Sequence, residues 1–505
     1  MDDMGNSTDT AGKRNPDIWV PTLYYTQGYP LTFVMRMGNI FFTYMGVPIE
    51  ALGVLFGIFN LPWVLKFLWS PLVDFVGTKR RWILVMQGAL AVMCMAVAAI
   101  TVFMPADLRA DGVRMLALRF PAPSMDGLWL ALNTLMLLLL IFGIGLGIDR
   151  NRGGAVRLAC LALCVGVAAF FGVFHGRLIA SVAFPLPVHI WMIAGCFLVT
   201  AFLSATHDVA IDGYYLDVLD KDGQAKFSGV RVAAYRVAMV VGGGLLVMLA
   251  APAGWGVSFG LGAAIFLGFF VFHALYLPAG SAAVKPAGPV AGRSIVQAFT
   301  TYLDQKRIVV ILPFILLYRI DDFLWSPMSV PFLKSIGVTQ TQVATINGII
   351  GAVAAIIGGI LGGVYISRKG LRKGLWVLGL IQGATLLLYV YLAWVHPALP
   401  EGTVIGSGGL VHVALINAFE NMAYGLGAVA FVNFLMRTCK KDYSAVHYAI
   451  ATGITALAMT CASFISGFLV KEIGFLHFFM LCFACSIPGL VLLRFLPLED
   501  MEAAK

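Results

Sequence analysis

Nine charged side chains fall within stretches otherwise apolar enough to cross a bilayer: Arg36, Lys66, Asp208, Asp212, Arg236, Arg319, Asp321, Asp322 and Glu420. A charge at mid-bilayer costs at least about 2.5–3.5 kcal/mol on insertion scales, so each must meet a partner or border a water-filled cavity. Tyr318-Arg319-Ile320-Asp321-Asp322 lies at the centre of its stretch, too deep for three charges to reach an interface by snorkelling. Glu420, followed by Asn421, and Arg236 are comparably deep. Buried carboxylates can take up protons. Guanidinium groups stay charged and hold carboxylate or phosphate in two-point contact. The competing reading is a set of salt bridges that fix helix packing or gate two states.

Asp208 and Asp212 are spaced i, i+4, which puts both carboxylates on one helical face. Like charges so close favour protonation of one. The alternative is a gate latch to Arg231, Arg236 or Lys66, and Asp74 with Arg80 and Arg81 reads as a latch of the same kind. His207 beside Asp208 is either a titrating group or a hydrogen-bonded membrane histidine. Gly28 and Pro30 interrupt the first apolar stretch, where freed backbone groups are tolerated beside a cavity. There Tyr25, Gln27 and Tyr29 are candidates to meet sugar or peptide groups, against a simple kink. Gly242-Gly243-Gly244 and the Gly358-Gly359, Gly362-Gly363 pairs lack the Lys and Ser/Thr of a phosphate loop, and read as close helix packing. The sequence has no metal-ligand cluster, nucleophile elbow or nucleotide-hydrolysis motif. No cofactor and no enzymatic activity are expected.

The elements that must position these groups follow from composition. Of 505 residues 60% are hydrophobic and 12% charged, with mean hydropathy +0.90, against roughly 25% charged in average soluble domains. Fourteen windows of about 20 apolar residues can be counted. They run over 19–45, 51–73, 82–104, 127–148, 156–175, 189–212, 227–250, 256–277, 308–333, 341–366, 374–395, 409–436, 444–470 and 474–496. An even count puts both termini on one side. Most of the 34 Lys and Arg then fall in loops on that side, which the positive-inside rule makes cytoplasmic. The net charge of +9 is therefore an orientation signal, and nucleic acid is not an expected partner. The eight cysteines show no disulfide framework, and the first apolar stretch, carrying Arg36, reads as a retained helix.

The basic, Gly/Pro-rich interruption between 277 and 307 separates two halves that echo each other. Gly46-Val47 with Gly57 matches Gly337-Val338 with Gly348 at the same spacing, and Phe227-Ser228 echoes Tyr443-Ser444. Parallel repeats of this kind mark transporters with a substrate site between halves. The expected organisation is an N-terminal tail over 1–18, an N-terminal bundle over 19–277 with an inserted helix pair at 127–175, and a linker over 278–307. A C-terminal bundle over 308–496 and a tail over 497–505 complete it.

The loop Asp74-Phe75-Val76-Gly77-Thr78-Lys79-Arg80-Arg81 resembles the Gly/Asp/Arg loop of the major facilitator superfamily. Its prefix from Lys66 to Asp74, with Gly28-Tyr29-Pro30 and Ala205-Thr206-His207-Asp208-Val209-Ala210-Ile211-Asp212-Gly213, resembles the branch containing anhydromuropeptide permeases, acetyl-CoA transporters and some siderophore importers. Asp217-Val218-Leu219 and Phe419-Glu420-Asn421, with Gly425, Gly427 and Ala430-Phe431-Val432, lean toward the muropeptide permeases. The inserted pair, and His207 where the family usually has Gln, depart from that pattern. The resemblance implies an all-α polytopic membrane fold of twelve core helices in two bundles, here plus two. It also implies a monomer of a bacterial inner membrane importing anhydromuropeptides with protons, or siderophores or acyl-CoA. Outside transport, the alternative is a membrane-embedded sensor or enzyme.

Overall fold

The computed structural model describes residues 14–105, 108, 113–123, 179–219, 221–278, 301–305, 307–439 and 444–498. The windows at 127–148 and 156–175, most of the 278–307 linker and most of both tails lie outside the described residues.

The chain enters its first helix at a well-capped start: the Asn15 side chain accepts from the Asp17 N–H at 2.9 Å, and Pro16 supplies the fixed φ of the first turn. Helix α1 (Pro16–Thr32) runs through Pro21 and Pro30, and a π-helical turn, Phe33–Met37, carries it into α2 (Gly38–Tyr44). Such turns insert a residue into the helix and are frequent at functional sites. Here the inserted turn bears Arg36. Next come α3 (Ile49–Leu65), α4 (Ser70–Phe75), α5 (Lys79–Val102), α6 (Val188–Val218) and α7 (Lys221–Val240). A second π turn, Val241–Leu245, joins α7 to α8 (Leu246–Ala253), followed by α9 (Trp255–Tyr276).

The remaining helices are α10 (Ile308–Leu317), α11 (Ile320–Ser335), α12 (Gln340–Val343), α13 (Gly351–Lys369), α14 (Leu371–Val395), α15 (Ser407–Arg437) and α16 (Ser444–Leu492). A third π turn, Ala344–Ile350, joins α12 to α13. Gly474, at φ 72°, breaks α16 into two helices. Every apolar window outside the inserted pair coincides with helix. Eight helical segments are long and apolar enough to cross a membrane, and the protein is a multi-pass membrane protein. Of the other six windows, the inserted pair lies outside the described residues, the last two count as one segment, His447–Phe495, and three are not among the eight: 19–45, 51–73, where α3 is short, and 308–333, broken at Arg319.

One expectation is corrected outright: the chain is not all helix. Met115–Pro123 and Ile179–Pro187 form an antiparallel two-stranded ribbon, β1 and β2, with Met115 opposite Pro187 and Pro123 opposite Ile179. Proline hides a strand from sequence inspection, but each strand of a two-stranded ribbon has a free edge where a missing N–H costs little.

The amino-terminal helices (residues 14–277) and the carboxy-terminal helices (308–498) touch away from the basic loops. Asn39 donates to Pro327 O at 3.1 Å, Tyr44 to Val338 O at 2.6 Å and Lys334 to Thr43 O at 2.8 Å. Lys471 pairs with Glu50. The second and third π turns cross backbone to backbone, Gly243 and Gly244 against Gly348, so closely that a Cβ on residue 348 would overlap the Gly243 carbonyl. Gly348→Ala is therefore expected to destabilise by about 1–3 kcal/mol as overpacking. Gly363→Ala, with nothing within 4 Å of the new methyl, is the control that should not. Thermal unfolding of the detergent-purified chain, followed by near-UV circular dichroism, measures both.

Candidate functional site

The deepest charges gather where α10 ends and α11 begins. Arg319 leaves helical geometry (φ −125°, ψ 20°) and starts α11, so Asp321 and Asp322 sit in its first turn, where the helix dipole favours negative charge. Arg319 Nε and Nη2 both donate to Asp322 Oδ2, at 3.0 and 2.5 Å. Gln382 Nε2 from α14 donates to the same oxygen at 2.5 Å, while Asp322 Oδ1 has no hydrogen-bond partner. Asp321 Oδ1 is equally bare. Glu420 on α15 accepts from Thr385 Oγ1 of α14 at 3.0 Å and leaves Oε1 unpartnered. Asp321, Asp322 and Glu420 are all sealed, at 2%, 2% and 0% exposure.

From sequence, these carboxylates were expected to line a passage. Asp322 and Glu420 instead face α14, inside the carboxy-terminal helices, because Gln382 and Thr385 are the donors available. Arg319 is the member that reaches the other way. Its guanidinium lies 4.6 Å over the Tyr424 ring, and Tyr424 is in electrostatic contact with Arg36 and Arg236 of the amino-terminal helices. Arg319, against the ring, and Arg36 and Arg236, from the other set of helices, thus all lie within electrostatic reach of Tyr424.

The aliphatic stem of Arg36 lies along Gly243, and its guanidinium is within electrostatic reach of Arg236 and Tyr235. Arg236 Nη1 approaches Met239 Sδ at 3.6 Å. Neither arginine has a carboxylate within ion-pair distance among the described residues.

Toward the basic loops the charges are matched. Lys66 Nζ donates to Asp208 Oδ2 at 2.6 Å, and Gln27 Nε2 donates to Asp208 Oδ1. Arg231 pairs with Asp212 at 3.1 Å and is sandwiched between the Tyr24 and Tyr215 rings at 4.3 and 4.4 Å, with Tyr24 OH also donating to Asp212. Of the candidate latch partners for the Asp208/Asp212 face, Lys66 and Arg231 are in place, whereas Arg236 lies deeper. Gln27 is engaged in that latch. Arg80 donates to the Ala274 and Leu277 carbonyls at 2.7 and 3.2 Å, capping α9. The Arg81 backbone N–H bonds the Thr78 cap, and the Asp74 side chain lies outside the described residues.

Other candidates are held within the helix packing. Tyr29 is fully buried, its hydroxyl unpartnered, beside Phe33 and Phe266. Tyr318 donates to Leu375 O at 2.7 Å and stacks on Phe431. Asn421 donates to Asn417, which itself donates to Asn347 and Tyr389. His207 is sealed with neither ring nitrogen bonded. Sequence inspection passed over Tyr424, Gln382 and Thr385. Tyr424 follows Glu420 by one helical turn, the spacing that puts it near the same face, and Gln382 and Thr385 are polar interruptions in an apolar helix. Among the described residues no group of three or more His, Cys, Asp or Glu is placed to hold a metal.

No family model matches the sequence. It is 24% identical over 478 residues to the anhydromuropeptide permease of Escherichia coli K12, covering 93% of this chain and 77% of that one. A Haemophilus influenzae protein without an assigned activity is 25% identical over 483 residues, covering 93% and 91%. Among solved structures, a D-xylose–proton symporter superposes with a TM-score of 0.60 at 12% identity, covering 94% and 95%. A POT family transporter crystallised with 5-aminolevulinic acid superposes with a TM-score of 0.61 at 11% identity, covering 95% and 96%. At such identities the likeness establishes the fold.

Proposed function

We propose that this chain, a relative of anhydromuropeptide permeases with the major facilitator fold, imports muropeptides (GlcNAc-anhydromuramyl peptides) across a bacterial inner membrane. The observation that carries the reading is that Arg36, Arg236 and Arg319, drawn from both sets of helices, all lie within electrostatic reach of Tyr424. Charges are retained at such depth where they border a polar passage, and in parallel-repeat transporters the substrate site lies there.

In this reading the amino- and carboxy-terminal helices are two six-helix bundles, with an added pair at 127–175, that rock about the glycine crossings. Both termini face the cytoplasm and the protein works as a monomer. The arginines hold the anionic groups of the muropeptide. Arg319 is shared between Asp322 and substrate, so substrate binding weakens its hold on Asp322 and favours a proton there. Glu420 and Asp321 extend the proton pathway. Lys66–Asp208 and Arg231–Asp212 act as latches that brace the cytoplasmic end of the first bundle, and the loop of Asp74, Arg80 and Arg81 belongs to the same gate.

Uptake of radiolabelled anhydromuropeptide into proteoliposomes, with and without an inward proton gradient, tests the function. Accumulation above the external concentration only with the gradient is expected. No muropeptide entry under either condition would remove the proposal.

A further inference from the structure

Lys66, Arg231 and Arg319 are each neutralised by a carboxylate: Asp208, Asp212 and Asp322 in turn. Arg36 and Arg236 break that rule. Both are half-buried rather than sealed, within electrostatic reach of each other, and without a carboxylate partner among the described residues; Arg36 lies along Gly243, seven residues past Arg236 in the same helical run. Asp321 and Glu420 are not available to them. Both are sealed among the carboxy-terminal helices, and Glu420 accepts from Thr385. Two like charges within reach of each other at low dielectric repel, and each carries its own insertion cost. Packing alone gives no return for that arrangement.

We infer that Arg36 and Arg236, walled by Tyr235 and Tyr424, form a site that selects substrates bearing two anionic groups, carboxylates or phosphates. A dianion neutralises both guanidinium groups, each offering the planar fork that fits a carboxylate. A monoanion leaves one cation uncompensated. A neutral solute leaves both. The inference rests on the transport reading and adds a valence to the substrate.

The test is equilibrium binding to the purified full chain in detergent. One probe is a GlcNAc-anhydromuramyl tripeptide with its peptide carboxylates free; the others are the same compound with all but one, or all, amidated. The wild type is expected to favour the free form over the singly charged one by about tenfold or more, the scale of one charged hydrogen-bonded contact. Arg36→Gln and Arg236→Gln should each abolish that preference, read as the ratio of the two affinities within each variant. Arg36→Lys should keep part of it, which a merely structural arginine would not predict. Equal binding of all forms by the wild type overturns the inference, as does an undiminished preference in both Gln variants.

A separate arm uses succinate and pyrophosphate and follows thermal stabilisation. If neither muropeptide form binds but these dianions stabilise the wild type and not Arg36→Gln, the site stands and the muropeptide reading falls. If muropeptide is carried and amidation changes nothing, the reverse holds.

Discussion

Glu420→Gln is expected to abolish concentrative uptake while leaving exchange of labelled for unlabelled substrate across the membrane close to the wild-type rate. The amide is nearly isosteric and still accepts from Thr385, so the bond between α14 and α15 survives. It cannot carry a proton. Glu420 has no cation within ion-pair distance among the described residues, and one of its oxygens has no donor. An ionised carboxylate left that way in the membrane is costly, which suits the group to take up and release a proton. Parallel accumulation and counterflow assays in proteoliposomes separate the outcomes. Loss of both activities with a well-folded protein would assign Glu420 to substrate binding, and loss of folding would assign it to packing.

Arg319→Gln is expected to be the most damaging single change to the folded state, costing about 3–5 kcal/mol, because it strands Asp322 as a buried, unpaired charge. Asp322→Asn alone strands the arginine less, since Arg319 keeps its place over Tyr424. The pair Arg319→Gln with Asp322→Asn removes both charges and leaves Gln382 a neutral acceptor. It should recover most of the lost stability and none of the transport. Thermal unfolding of the four proteins gives the coupling energy, and uptake by the double variant shows whether the charges are needed for transport itself. If the double variant is no more stable than Arg319→Gln, the ion pair is not what holds α10, α11 and α14 together.

The depth of the charges was legible because hydrocarbon penalises each of them independently of its partner. What they face was not. Asp321 and Asp322 are adjacent on a helix, so their side chains point about 100° apart and meet different neighbours. Which of them turns inward depends on Gln382, sixty residues on. Arg319 and Asp322 have the spacing of a helical ion pair, yet Arg319 is not helical, and only the break at the start of α11 lets both its nitrogens reach one oxygen. Helix positions followed from hydropathy. The ribbon at 115–123 and 179–187 did not, since its prolines argue against a strand and its pairing spans a long gap in sequence. Likewise nothing local announces that Gly348 meets Gly243, or that Gln27 is engaged with Asp208 rather than left free for substrate.

The central claim is that Arg36 and Arg236 border water between the two sets of helices. Arg36→Cys and Arg236→Cys in a background without other cysteines, treated with a membrane-impermeant thiol reagent from either face of sealed vesicles, test it directly, with Thr78→Cys as the loop control. Modification of both from at least one face, slowed by muropeptide, is the result expected. If Thr78→Cys reacts while neither arginine position reacts from either face, the arginines are sealed in dry packing and the account is contradicted.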